Sequence, residues 1–219
     1  MMKPLFYLLI TLFLYACQSH SGETENVNQP TDDLPTEETL PEMSGGKEGI
    51  PCNTDVMVKN SDPFTCLNYD DSLLFYYDAY TVSCINHAEM NGYVITITDL
   101  DGNVLTTTGE ADGSSFFVGI YEHYAIIDQG TGQIRGLAVI DLDQNLTVLQ
   151  ESYIDNLTIR DGILEFEKQV ELSDPELIPE CPKELQGMEY GIGYVELFRF
   201  NFVEKSITGS GNYRCQYFE

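Results

Sequence analysis

Along residues 50–219 the apolar positions either alternate with polar ones or gather into short β-branched and aromatic runs, each closed by Gly, Asp or Asn. A period of two puts alternate side chains on opposite faces of an extended chain, so the pattern predicts strands. They fall at Leu73–Tyr77, Gly92–Thr98, Val104–Thr108, Ser115–Ile120, His123–Asp128, Gly136–Leu142, Leu146–Tyr153, Leu157–Arg160, Ile163–Glu167, Gly193–Phe202 and Gly211–Tyr217. Helical periodicity nowhere persists beyond two turns, and its best stretch, Pro182–Gln186, is a single turn. The pairs Asp101-Gly102 and Asp161-Gly162 each join two apolar runs and read as hairpin turns, because both residue types accept positive φ. The predicted fold is all-β, with antiparallel meander sheets in a sandwich or a propeller-blade-like stack, stabilised by disulfides.

A weak echo links Ile97-Thr98-Asp99-Leu100-Asp101-Gly102-Asn103 to Ile140-Asp141-Leu142-Asp143-Gln144-Asn145, with Asp99 and Asp141 42 residues apart. That spacing suits a four-stranded propeller blade, but 170 residues hold too few such units for a closed propeller. The echo is therefore read as convergence of hairpins. The third apolar hairpin, Phe198–Ile207, does not keep the aspartates. Asp99-x-Asp101 also has the carboxylate spacing a hard cation favours, yet an EF-hand loop needs Gly at its sixth position, where this chain has Val104. Asp70, Asp71 and Asp78 lie among Tyr69, Tyr76, Tyr77 and Tyr80. Such a patch suits sugars or cations, while aromatic residues in a strand also serve as core.

The amino terminus has a different pattern. After Lys3 comes a twelve-residue apolar run, Pro4–Tyr15. It is too short to span a bilayer, which takes about 20 residues, and has the size of a signal-peptide hydrophobic region. Leu14-Tyr15-Ala16-Cys17 follows at the junction with polar sequence and resembles the lipobox of bacterial lipoproteins, departing from it at Tyr15, where that family has a small residue. The resemblance implies cleavage before Cys17 and acylation of Cys17, anchoring the chain to a lipid bilayer. Each buried methylene of an acyl chain adds about 0.8 kcal/mol to that anchoring. Gln18 after the cysteine is similar to lipoproteins sorted to an outer membrane, where Asp would imply inner-membrane retention; the periplasmic or surface face stays open. Residues 1–16 are thus expected to be a leader and 17–49 a lipidated cysteine with an acidic spacer. From Gln18 to Gly49 there is no aromatic residue, and eight acids face one Lys. Such a stretch buries too little apolar area to offset its ordering entropy.

Composition narrows the candidate functions. The 219 residues carry 36 acids against 10 bases, a formal charge of −26. Residues 50–219 alone hold 28 acids and 8 bases, or −20. A surface of that sign repels nucleic-acid phosphates and anionic lipid heads and favours cations or a basic protein partner. Five cysteines follow Cys17, with no C-x-x-C spacing, so export makes disulfides the default. Cys181 and Cys215 bracket the last hairpin and form the first expected pair; Cys66 with Cys84 is the second, leaving Cys52 single.

Catalytic motifs are scarce. There is no G-x-S-x-G, P-loop or H-E-x-x-H, and Gly191-Ile192-Gly193 lacks the third glycine of a dinucleotide fingerprint, so no cofactor and no catalytic or metal residue is assigned. Among His20, His87 and His123, the last, in Tyr121-Glu122-His123-Tyr124, is the titratable group to watch, although a strand-edge histidine needs no function. The Gly132–Leu137 stretch, Asp141-Leu142, Glu180-Cys181-Pro182 and Tyr213-Arg214-Cys215 together resemble uncharacterised secreted bacterial β proteins over roughly the last ninety residues. That likeness implies a secreted β domain and no activity. The expectation is a non-enzymatic, membrane-anchored binding or structural module of the cell envelope, with a basic protein or a glycan as partner. The alternative is a small envelope glycan hydrolase using a carboxylate pair about 5–9 Å apart, one carboxyl with a raised pKa.

Overall fold

Strands form where Val, Ile, Thr, Tyr and Phe concentrate, and they follow one another in two successive meanders. In a computed structural model that describes residues 49–52, 65–111, 114–185 and 191–218, they are β1 (Ile50–Pro51), β2 (Thr65–Asn68), β3 (Ser72–Tyr76), β4 (Tyr80–Asn86), β5 (Tyr93–Asp99), β6 (Val104–Thr108), β7 (Ser115–Tyr121), β8 (Tyr124–Gln129), β9 (Arg135–Asp141), β10 (Leu146–Arg160), β11 (Ile163–Val170), β12 (Ile192–Asn201) and β13 (Ser206–Tyr217). All described residues belong to one compact unit, Gly45–Glu219. Strands β1 to β6 form one sheet and β7 to β13 a second, each strand pairing antiparallel with its sequence neighbours. The all-β meander expected from the sequence is the fold.

The side-chain alternation then decides how the sheets stack. On β8, Ala125 and Ile127 share a core with Phe75, Val82, Ile95 and Ile97 of the first sheet, as do Ala138 and Ile140 on β9. Their neighbours Tyr124, Ile126, Leu137 and Val139 face the other way, into a core with Leu164, Phe166, Phe200 and Phe202 of β11, β12 and the turn after it. Strands β8 and β9 are thus buried on both faces, which explains their continuous apolar sequences. The second sheet closes over itself at β10. The first half of that strand pairs with β9 and the second half with β11, with an irregularity between Ile154 and Thr158 and Asn156 at φ 73°. The result is three stacked layers: β1–β6, β7–β9 with early β10, and late β10 with β11–β13. The gap between the predicted strands Leu146–Tyr153 and Leu157–Arg160 is this pivot, inside one strand.

The turns follow the residues as well. Asp161 (φ 50°) and Gly162 (φ 75°) close the β10–β11 hairpin between paired Arg160 and Ile163, a two-residue loop with both positions left-handed. The echoed segments occupy corresponding places in successive sheets: Asp99 begins the β5–β6 turn and Asp141 the β9–β10 turn, and each outgoing strand has a register shift shortly afterwards. Asn201 takes the same place before the β12–β13 turn, its side-chain oxygen accepting from the Val203 and Glu204 amides.

Short, polar elements escaped the pattern. Strands β1 and β2 are two and four residues long, and β4 reads Tyr-Thr-Val-Ser-Cys-Ile-Asn, with only Val82 and Cys84 fully inside. Within Pro182–Gln186 the structure has a single hydrogen-bonded turn, the Leu185 amide donating to the Pro182 carbonyl, and a 3-10 turn capped by Asp174 precedes it at Pro175–Leu177. Gln186 lies outside the described residues.

The cysteine pairing corrects one expectation. Cys181 bonds Cys215, but Cys66 bonds Cys52 rather than Cys84. Cys52 directly follows β1, the strand beside β2, and lies next to Cys66, their Cα atoms 5.3 Å apart and the Cys52 amide donating to the Cys66 carbonyl. Cys84 sits on β4, with β3 lying between it and β2. Two strand spacings come to about 9–10 Å, beyond the reach of a disulfide. Cys84 remains a free thiol, 1% exposed, and burial pushes its pKa up to about 12. Because the thiolate is the reactive form, iodoacetamide should leave Cys84 unmodified in the folded chain and alkylate it after unfolding. Peptide mass spectrometry reads this directly, and native-state alkylation at the rate of a free thiol would contradict the packing.

Candidate functional site

One end of the layers brings together groups far apart in sequence. The β7–β8 hairpin turns on Glu122, at φ 54°, and His123, between paired Tyr121 and Tyr124. Asp141 ends β9 directly opposite Tyr124, and the Leu142 amide donates to the His123 carbonyl, which ties the two turns together. From the third layer the β12–β13 turn supplies Lys205, whose Nζ lies 2.9 Å from Asp141 Oδ2. That turn is fixed by Phe202, whose ring stacks on Tyr121 and whose carbonyl accepts from the Tyr124 hydroxyl at 3.1 Å. Tyr80 lies close enough to Asp141 and Asp143 to feel both charges.

Asp141 is the electrostatic centre of this end. It is fully buried, with Oδ1 accepting from the Gln144 amide at 3.1 Å and Oδ2 from Lys205. Burial pushes its pKa up, but the Lys205 hydrogen bond, the Gln144 amide, the Lys205 charge and nearby His123 together outweigh this, and the carboxyl stays below its ordinary range. The hydrogen bond to Asp141 holds the Lys205 pKa above its usual value. Burial, then the charge of Asp143 and that of Asp141, raise Tyr80. Tyr124 is likewise raised by burial, against an opposing effect of Lys205.

His123 and Asp143 complete the group. One ligating atom from each of His123, Asp141 and Asp143 lies within 4.8 Å of the others, with Asp141 buried, His123 half-buried and Asp143 exposed. The His123 ring packs on Tyr124, centroids 4.1 Å apart. Asp99, by contrast, is used up by its own turn: it accepts from the amides of Asp101 and Asn103 and from the Asn103 side chain. These bonds, the Asn103 side chain foremost, hold its pKa down, which agrees with the hairpin reading rather than a calcium loop.

Large apolar side chains stand exposed around these turns. Val203 is 87% exposed and Leu100 70%, with Val104 and Leu146 more than half exposed. A second concave surface lies on the outer face of the third layer: a groove of about 360 Å³ lined by Glu167, Val195, Leu197, Arg199, Tyr213 and Arg214 among others. Its arginines are engaged, Arg199 with Glu165 at 2.8 Å and Arg214 with Glu167 at 2.6 Å. Tyr77 and Tyr80, part of the acidic tyrosine patch, pack against the core between the first two layers.

The sequence marked His123 and the Asp141 turn separately; it did not join them to each other or to Lys205, which is 64 residues beyond Asp141. The 42-residue echo was the available signal, since it placed a carboxylate at the same turn in successive sheets. Cys17 and His20 lie outside the described residues. No family model, curated protein or solved structure matches the chain.

Proposed function

We propose that the chain is an exported bacterial lipoprotein, anchored through acylated Cys17, whose β domain is a non-enzymatic binding module of the cell envelope. The observation that carries this reading is the pair of disulfides, Cys52–Cys66 and Cys181–Cys215, in a chain whose short apolar run Pro4–Tyr15 is followed closely by Cys17. Disulfides persist where thiols are oxidised, outside the cytosol. The acidic spacer from Gln18 to Gly49 holds the domain away from the lipid, and Gln18 favours the outer membrane. The partner is a basic protein, drawn by the net charge of −26 and docked at the turns where Leu100 and Val203 stand exposed beside the exposed acids Asp101 and Glu204. The hydrolase alternative asks for a carboxyl with a raised pKa; the resolved carboxyl shifts among the described residues, Asp99 and Asp141, are both downward and lend it no support.

The test fractionates cells expressing the tagged full chain or Cys17→Ala, then co-purifies partners at low and high salt. The wild type should sediment with membranes and Cys17→Ala should not. A stoichiometric basic partner should be held at low salt and released at high salt, because exposed charges more than a Debye length, about 8 Å in physiological salt, apart are screened. A Cys17→Ala chain that stays in the membrane would overturn the anchor, and the absence of any partner at either salt would overturn the binding module.

A further inference from the structure

We propose that His123, Asp141 and Asp143 form a binding site for a zinc-like divalent transition-metal ion, with the Lys205 ammonium as the cation that the metal replaces. This goes beyond the anchored binding module and stands independently of it. Three donors from two turns converge within 4.8 Å. Two of them are unengaged: among the described residues no hydrogen bond or ion pair occupies the His123 ring nitrogens or the Asp143 carboxylate. The third, Asp141, is buried and already binds a cation in the form of Lys205. The site is thus built to hold positive charge, and among the described residues its two other donors are bound to no cation.

The donor set selects the metal class. One imidazole nitrogen with two carboxylate oxygens suits zinc and its neighbours, whereas calcium and magnesium take all-oxygen shells. Tetrahedral bonds of about 2.1 Å place ligand atoms about 3.4 Å apart, so the present spacing must contract by no more than about 1.4 Å. His123 and Asp143 sit on turns, and their side chains can make that adjustment without moving the β-ladder that fixes Asp141. Three protein ligands leave a fourth position for water or for a donor from a partner. Lys205 is 35% exposed, so its ammonium can swing to solvent when an ion takes its place.

The experiment titrates detergent-solubilised full chain with Zn²⁺ by calorimetry and, in parallel, with Co²⁺ followed by its visible absorption, which reports the coordination geometry of the bound ion. One ion per chain is expected. His123→Ala, at a half-buried position, and Asp143→Ala, at an exposed one, should weaken binding by at least the 10–100-fold that loss of an outer-shell partner costs. Lys205→Gln, which removes the competing cation, should tighten it. His20→Ala and His87→Ala should bind as the wild type does. Thermal melts check that each variant is folded, and if Lys205→Gln does not fold, His123→Ala and Asp143→Ala decide alone. Equal binding by wild type and His123→Ala would overturn the proposal, as would the absence of stoichiometric uptake or a Lys205→Gln chain that is folded and binds more weakly.

Discussion

A chain with both Cys181 and Cys215 replaced by serine is expected to lose about 4 kcal/mol of stability, the value that chain-entropy closure gives for a loop of 34 residues. In the folded state Cys215 is 8% exposed on β13, the edge strand of the second sheet, in register with Tyr194. Its partner stands at the end of a stretch, Glu171–Cys181, whose regular structure is one 3-10 turn with no buried residue. Few packing contacts hold that stretch, so the covalent bond does most of the holding. The Cys52–Cys66 bond closes only 14 residues and should contribute about 3 kcal/mol, on a first sheet whose edge strand β1 has two residues. For a domain of this size each kcal/mol shifts the melting temperature by about 2–4 °C, so the Cys181→Ser/Cys215→Ser chain should melt about 10 °C lower. Melting the wild type with and without reductant, beside each double-serine variant, separates the two bonds. If the Cys181→Ser/Cys215→Ser chain melts with the wild type, the bond does not constrain the unfolded chain as described.

Much of the fold was legible because the meander is local: each strand pairs with its neighbours in sequence, and alternation alone marks the inner face. What alternation does not reveal is which inner face meets which. Tyr124 and Ala125 are adjacent and both buried, yet one enters the core with Phe200 and the other the core with Val82. Only the fold-over at β10 decides that, and in the sequence it left no more than a gap at Ile154–Asn156. The Cys66–Cys84 expectation failed for a related reason. Sequence separation does not show how many strands intervene, and the unrecognised β2 and β4 were the strands that mattered. The candidate site was legible by halves: the Asp99 and Asp141 echo identified a repeated turn, and His123 was visible as an isolated imidazole. Their meeting with Lys205 depends on the third layer folding back over the second, which no local pattern encodes.

That fold-back is tested most sharply at Phe202. Phe202→Ala should cost about 3–5 kcal/mol, the range for emptying a buried aromatic site. The side chain is 1% exposed, although it lies in a turn, and its ring meets Tyr121 at 4.8 Å, Tyr124 at 5.0 Å and Phe200 at 5.4 Å. Aromatic pairs of this kind add about 0.5–1.5 kcal/mol beyond their buried area. Two of these partners belong to the second layer and one to the third, so the ring is a seam between them. Its backbone is also engaged, the amide donating to the Gly162 carbonyl at 3.2 Å and the carbonyl accepting from Tyr124. Alanine keeps those bonds but opens a cavity beneath the turn that carries Lys205, so the Lys205–Asp141 ion pair should loosen together with the seam. The neighbouring Val203, 87% exposed, provides the control: Val203→Ala removes two methyl groups from water and should change stability by no more than about 0.5 kcal/mol. Phe202→Leu, which keeps most of the volume, should fall between the two. Denaturant melts of the three variants rank the effects. Equal stability for Phe202→Ala and Val203→Ala would mean that the third layer does not close over the second at this end, and the His123–Asp141–Lys205 assembly would lose its scaffold.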